Sequence, residues 1–304
     1  MISWVGYPVL IVVVAMAVLG YYQPNSERFE KDSENIIRVM SYNIRFDNPD
    51  DGINSWPNRS HHVAHLIEEV YRPDLIGIQE ALVHQLEELS DALEHYSWVG
   101  DGRSDGHRSG EFSPIFYNRK KFELVQTNTF WLSENPDIPG SLSWDAAITR
   151  IVTWARFMDR GNEREFILFN THFDHLGSES RKRSAEMLLD HAKRIADSVP
   201  AIVTGDLNVT EDSEVYRLLQ HDPHLKDARY ASRNGHEGPT ASFNNWLELR
   251  GSESRIDYIF VESEVEVLRH IIADDRYDNR FPSDHLPVIA DIQLPQAETP
   301  EAKP

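Results

Sequence analysis

Residues 201–209 read AIVTGDLNV. Ile202 and Val203 sit in an apolar run too short for a helix, and the run stops abruptly at Gly205 and Asp206. That is the pattern of a strand covered on both faces and ending in a carboxylate. Outward from this stretch the same grammar recurs. Residues 165–172 (EFILFNTH) end in His172, residues 36–42 (IIRVMSY) are followed by Asn43, and residues 74–79 (DLIGIQ) are followed by Glu80. Residues 256–261 (IDYIFV) carry Asp257, and residues 286–292 (LPVIADI) are preceded by Asp284 and His285. Residues 114–117 (PIFY) and 151–157 (IVTWARF) complete the expected strands. Helical stripes are clear in three places: Val63, Leu66, Ile67 and Val70; Leu82, Leu86, Leu89 and Leu93; and Ala185, Leu188, Leu189, Ala192 and Ala196. Many strands with few helices predict an α/β fold of packed sheets covered by helices.

Polar residues at strand ends along one sheet edge can converge on one cleft. Glu80, Asp206, Asp284, Asn43, Asn208, His172 and His285 offer hard oxygens and imidazoles, a donor set that suits Mg²⁺ or Mn²⁺. Asp257, flanked by Ile256, Tyr258, Ile259 and Phe260, is expected to be buried, and a buried carboxylate needs a partner. Each signal alone has a plain alternative, as a solvated strand end, a turn or a cap. Their common context gives them weight together.

Composition narrows the function. The chain has 304 residues, 40% of them hydrophobic, enough for a substantial core. It has no cysteine, which excludes thiol catalysis, disulfides and cysteine–zinc sites. Its formal net charge of -20 repels polyanions at long range, although a local cleft can still bind phosphate. No aromatic-rich basic tract of the kind that stacks single strands is evident.

Residues 1–23 contain an uncharged run, WVGYPVLIVVVAMAVLGYY, that at helical rise spans roughly the ~30 Å hydrocarbon core of a bilayer. A retained transmembrane anchor, a cleaved signal peptide and a buried helix are the open readings. Positive charges after the run would by themselves hold the following domain in the cytoplasm. An export signal would place it outside, and we expect a membrane-anchored, extracytoplasmic domain, secreted if the segment is cleaved. Residues 24–35 read as a tether, 36–295 as one catalytic domain and 296–304 as a disordered tail.

The ordered blocks MSYNIR, IGIQE, FNTHFDH, VTGDLNV, RIDYIF and PSDHLPV resemble the endonuclease/exonuclease/phosphatase superfamily, the deoxyribonuclease-I-like fold. Longer phrases such as YNIRFDNPDDGINSW and SWDAAITRIVTWARF are similar to a bacterial branch of mostly uncharacterised members. The resemblance implies a four-layered α/β/β/α sandwich of two mainly antiparallel sheets. It also implies a divalent-metal-dependent phosphoric-ester hydrolase: a phosphodiesterase, nuclease or phosphatase. The phosphorylated substrate would be a small phosphodiester, a phospholipid headgroup or nucleic acid. By this resemblance Glu80 is the principal metal ligand, with Asn43 beside it on metal or phosphate and Asp284 a further ligand. Asp206 orients or activates the attacking water, and Asn208 contacts the phosphate. His285 faces the phosphate with Asp257 on its far nitrogen, and His172 is a second phosphate-facing histidine. Arg45 departs from the acidic residue found in the DNA-repair members. It is expected to pair with phosphate or a neighbouring carboxylate, which argues against a second metal there. Arg181 is a further candidate phosphate ligand or a solvated turn residue. Arg150 is a candidate for the cleft wall, Trp154 for the core, and residues 101–111 for a mobile rim loop. Two other readings are open: a catalytically inactive scaffold of the same fold, and a zinc hydrolase, for which no HExxH motif is present.

Overall fold

The computed structural model describes residues 35–197, 199–247 and 254–295. The expected anchor or signal segment, the tether up to residue 34 and the expected tail lie outside the described residues. Among the described residues no helix is long and apolar enough to cross a membrane.

Two sheets form the body. In the first, β1 (Ile37–Asn43) runs antiparallel to β13 (Val288–Gln293) and parallel to β2 (Leu75–Gln79). Beyond β13 lie β12 (Glu266–Ile272) and β10 (His236–Glu237), and beyond β2 lie β4 (Ile115–Asn118) and β3 (Tyr96–Val99). The second sheet runs in the order β5 (Phe122–Trp131), β6 (Ile151–Asp159), β7 (Arg164–His172), β8 (Ala201–Asp206), β11 (Asp257–Glu262) and β9 (Leu225–Asp227). Both sheets are mainly antiparallel. The parallel pairs are β1 with β2, β7 with β8 and β10 with β12.

Side-chain alternation builds the layers. Val39, Leu75, Phe157, Leu168, Ile202 and Ile259 pack between the sheets. Their neighbours Phe169, Val203 and Phe260 point the other way, under α3 (Ser178–Ala196) and α4 (Glu214–Gln220), where Ala185, Leu188 and Leu219 meet them. Each such buried aliphatic or aromatic side chain contributes roughly 1.5–3 kcal/mol of transfer free energy. On the outer face of the first sheet, Arg38 Nη1 donates to the Tyr71 carbonyl (2.8 Å), at the end of a widened helical turn, Leu66–Tyr71, that continues α1 (Ser60–His65). Val63 and Leu66 there, with Leu86 and Leu89 of α2 (Val83–Ala92), are fully buried. The result is an α/β/β/α sandwich.

A polar seam locks the two sheets beneath the candidate site. Gln79 Nε2 donates to Asn170 Oδ1 (2.7 Å), and Asn170 Nδ2 donates to the carbonyls of Ile78 (2.7 Å) and Pro114 (2.9 Å). Gly77 allows this approach: a Cβ there would lie 2.1 Å from Thr204 Oγ1 and 2.5 Å from Asn170 Oδ1. The seam therefore fixes the ends of β1 and β2 against those of β7 and β8.

The eight expected strands are all present with ends shifted by at most two residues. β3, β5, β9, β10 and β12 were not expected. β5 turns Glu123, Gln126 and Asn128 to solvent, and that polarity conceals its strand pattern.

Candidate active site

Six strands of two sheets begin or end at one edge, and their terminal residues meet. Asn43 ends β1, and Glu80 follows β2. His172 and Asp206 pair across parallel β7 and β8, and Asp206 pairs directly with Asp257 across antiparallel β8 and β11. His285 precedes β13. The chain turns sharply just past three of these strands: Arg45 (φ 58), Glu80 (φ 66) and Asn208 (φ 50) all have left-handed backbone. Such conformations cost on the order of 1–3 kcal/mol and concentrate at functional sites. Here they swing side chains off the strand direction and into a cleft of about 500 Å³ lined by Arg45, Glu80, His172, Asp206, Asn208, Asp284 and His285.

Asn43 ties the centre together. Its amide nitrogen lies 3.0 Å from Glu80 Oε1, 3.0 Å from Asp206 Oδ2 and 3.4 Å from His285 Nε2. Its Oδ1 accepts the Arg45 backbone N–H (2.9 Å). Asn43 thus presents donors to the carboxylates, while its oxygen, expected on the metal if not the phosphate side, is taken by the Arg45 backbone. Phe46 N–H donates to Glu80 Oε2 (3.2 Å) and fixes that carboxylate's second oxygen. Glu80, His172 and Asp206 offer ligand atoms within 4.8 Å of one another, and so do Asp206, Asp257 and His285. The first group, with the carboxylates of half-buried Glu80 and buried Asp206 on the cleft, fits a hard divalent cation. Asp284 lines the cleft without joining either group.

His285 is oriented by Asp257, whose Oδ2 lies 2.9 Å from Nδ1. Burial alone would push the imidazolium down, but the Asp257 and Asp206 carboxylates outweigh it and hold His285 well above the ordinary histidine value. Burial, then repulsion from Asp257, raises Asp206 to about 7. His172 is driven the other way, well below its usual value, by burial and by the cations of Arg150 and Arg103. Its Nε2 lies 2.9 Å from Asn208 Nδ2, which also donates to the Phe173 carbonyl (3.0 Å). Burial, then repulsion from Glu80 against the counter-pull of His285, raises Asp284.

The two arginines named as phosphate candidates are both tied to protein groups, Arg45 by a neighbouring carboxylate as one of its readings had it. Arg45 lines the cleft but forms a two-pronged pair with Asp51 (3.0 and 3.1 Å), standing 3.9 Å from both Glu80 and Asp284. Arg181 is not among the residues lining the cleft; its Nη1 donates to the Asp174 carbonyl (3.0 Å), closing the turn before α3. Trp154 is buried in the core under α3. Residues 101–111, expected as a mobile rim, are internally tied: Arg103 grips Glu111 with two 2.7 Å bonds, and Asp105 accepts from the backbone of His107 and Ser109. Glu111, Phe46, Phe243 and Trp246 also line the cleft. They sit in irregular segments, where no periodic signal marks a wall.

Fold and site together define a phosphoester-hydrolase architecture. Residues 40–285 match the Endonuclease/Exonuclease/phosphatase family, and the chain belongs to that family. An endonuclease/exonuclease/phosphatase from Bacteroides vulgatus superposes with a TM-score of 0.82 at 38% identity, covering 85% of this chain and 99% of that one. A Bacteroides thetaiotaomicron mannosyl-6-phosphatase superposes at 0.81 with 35% identity, covering 84% and 99%. The human Nocturnin catalytic domain, at 20% identity, shares the fold (TM-score 0.70, covering 90% and 100%).

Proposed function

We propose that this protein is a divalent-metal-dependent hydrolase of small phosphoric esters, with a phosphomonoester as preferred substrate. One observation carries the chemistry: Glu80, Asp206, His172 and the Asp257–His285 pair, from five distant stretches of chain, share one buried edge. The similarity to a mannosyl-6-phosphatase supports the monoester. The net charge of -20 argues against a nucleic-acid polyanion.

When bound, a divalent cation neutralises phosphoryl charge and stabilises the departing oxygen. Glu80 would be its principal ligand, with Asp206 beside it, while the neutral His172 stays bonded to the Asn208 amide. One cation is favoured over two, because Arg45 already provides a positive charge 3.9 Å from Glu80 and Asp284. Asp206, buried beside Asp257 at the same edge, is suited to orient the attacking water and take its proton. His285, held cationic by Asp257, is suited to neutralise charge developing on the phosphoryl oxygens. The Asn43 amide fixes the Glu80 and Asp206 carboxylates, and the Asn208 backbone N–H holds the second Asp206 oxygen (2.9 Å). All of these groups are present, which disfavours an inactive scaffold.

The test is a panel on the full chain: hexose 6-phosphates, p-nitrophenyl phosphate, bis(p-nitrophenyl) phosphate, phospholipids and nucleic acids, each with Mg²⁺, Mn²⁺ or EDTA. Monoester turnover that needs the metal supports the reading; inertness toward every phosphoester defeats it. The N-terminal segment is proposed as an anchor or export signal, and protease accessibility of the catalytic domain in intact cells tests that separately.

A further inference from the structure

Arg150, the residue immediately before β6, lines the cleft and is only 5% exposed. Buried guanidinium groups are normally paired with carboxylates. Among the described residues the other buried arginines are held: Arg38 is clamped by Asp291, Arg255 by Asp227, and Arg59 by backbone carbonyls that include those of Asn54 (2.8 Å) and Arg45 (2.7 Å). Arg150 is not. Its Nε is buried with no hydrogen-bond partner, and its Nη2 contacts only the ring nitrogen of His175, at 3.3 Å. It forms no ion pair among the described residues. The nearby carboxylate of Glu111 is committed to Arg103 by two 2.7 Å bonds. Keeping an uncompensated buried cation is costly for folding. A side chain kept there at that cost, in the wall of a cleft that meets the substrate, is placed to receive an anion.

We infer that Arg150 is a specificity-determining residue that binds the non-esterified oxygens of a dianionic phosphate, and so selects phosphomonoesters over diesters. This deepens the phosphoester reading above and rests on it. A terminal phosphate carries two charges and three free oxygens, whereas a diester carries one charge and two. The Glu80–Asp206 end of the cleft serves both kinds of ester, because both contain the bond to be cut. A second cation in the same cleft, with a donor left free, rewards the ester with charge to spare. Guanidinium donors suit this task, since their fork matches two phosphate oxygens at once.

Binding and turnover of Arg150→Met and Arg150→Lys in the full chain with Mg²⁺ test the assignment. Inorganic phosphate stands for the monoester headgroup and dimethyl phosphate for the diester, with affinities from calorimetry. We expect Arg150→Met to bind phosphate at least ~10-fold more weakly, with dimethyl phosphate changed less than ~3-fold, and Arg150→Lys to fall between. In turnover, kcat/KM for p-nitrophenyl phosphate should drop at least ~10-fold more than for bis(p-nitrophenyl) phosphate. The melting temperature of Arg150→Met should hold or rise, because an uncompensated buried charge is gone; a purely structural arginine would give a fall. Equal losses for both probes, unchanged phosphate affinity, or a wild-type protein that does not bind phosphate would each overturn the inference. Selective phosphate binding without turnover of any ester would leave Arg150 assigned and defeat the hydrolase reading instead.

Discussion

Asp206 and Asp257 face each other directly across β8 and β11, yet only Asp257 touches the far nitrogen of His285, at 2.9 Å, while Asp206 stands 3.7 Å from the near one. Two carboxylates forced together by strand register are thereby given different work. Asp257 is fully buried and holds the imidazolium; Asp206 takes the repulsion and is left poised near neutrality.

Replacing Asp257 with Asn should lower the pKa of both His285 and Asp206, since it removes the attraction felt by one and the repulsion felt by the other. Histidine and carboxyl NMR titrations of the metal-free protein check the two directions. Asp206→Asn and His285→Ala should each lower the hydrolytic rate at least ~10²-fold. If either variant kept full activity, the assignment of roles at this edge would be wrong.

Glu80→Gln should weaken Mn²⁺ binding at least ~10-fold while leaving the fold intact, because Glu80 is only partly buried and the amide oxygen keeps one of its two donors, Asn43 or Phe46. The melting temperature of the wild type should rise with added Mn²⁺, by mass action on the folded state, and the rise should shrink in the variant. An identical rise in both proteins would place the ion elsewhere.

On mild acidification two buried histidines should each cost stability, against Asp206, whose raised value of about 7 makes the folded chain the better proton acceptor in that range. His172 and His270 are buried, and burial holds both well below the ordinary histidine value. The unfolded chain takes up protons as pH drops below ~6.5 while these two side chains in the folded chain do not, so each favours unfolding by up to ~1.4 kcal/mol per pH unit. His285 acts in the opposite sense: its contribution is complete below ~6.5 and is lost only as pH rises through its raised folded value. Urea unfolding of wild type and His270→Gln at pH 7 and pH 5.5 should show a loss smaller in the variant by on the order of 1 kcal/mol. Equal losses would mean that His270 is not the group responsible.

Gly77→Ala should destabilise the protein by about 1–3 kcal/mol or more, the range for overpacking a filled core. The new methyl would collide with Thr204 and with Asn170, itself held by two backbone carbonyls. Since this seam sets the distance between the two halves of the site, activity should fall along with the melting temperature. A variant as stable as wild type would show that the sheets can part at little cost.

The sandwich and its polar edge were legible because Asp206, Glu80 and His172 each stand within three residues of the last apolar residue of a strand. Arg181 misled because sequence shows a cation at a helix start but not the Asp174 carbonyl that already satisfies it. β12 stayed hidden because its Arg269 faces Glu237 of β10 (2.6 Å), a pairing across 32 positions that gives the strand a polar face. Asn43 was recognised as part of the site, but the direction of its amide depends on where Glu80, Asp206 and the Arg45 backbone meet it, and only the folded chain decides that. The isolation of Arg150 is also a property of the fold, since sequence proximity says nothing about which carboxylates are already taken.

The account depends most on a metal ion at the Glu80–Asp206 end of the cleft. The direct measurement is p-nitrophenyl phosphate hydrolysis by the full chain after EDTA treatment and removal of the chelator. Turnover should be absent, should return on addition of Mg²⁺ or Mn²⁺, and should stay absent in Glu80→Gln at metal concentrations that saturate the wild type. Undiminished hydrolysis in the metal-stripped protein would contradict it.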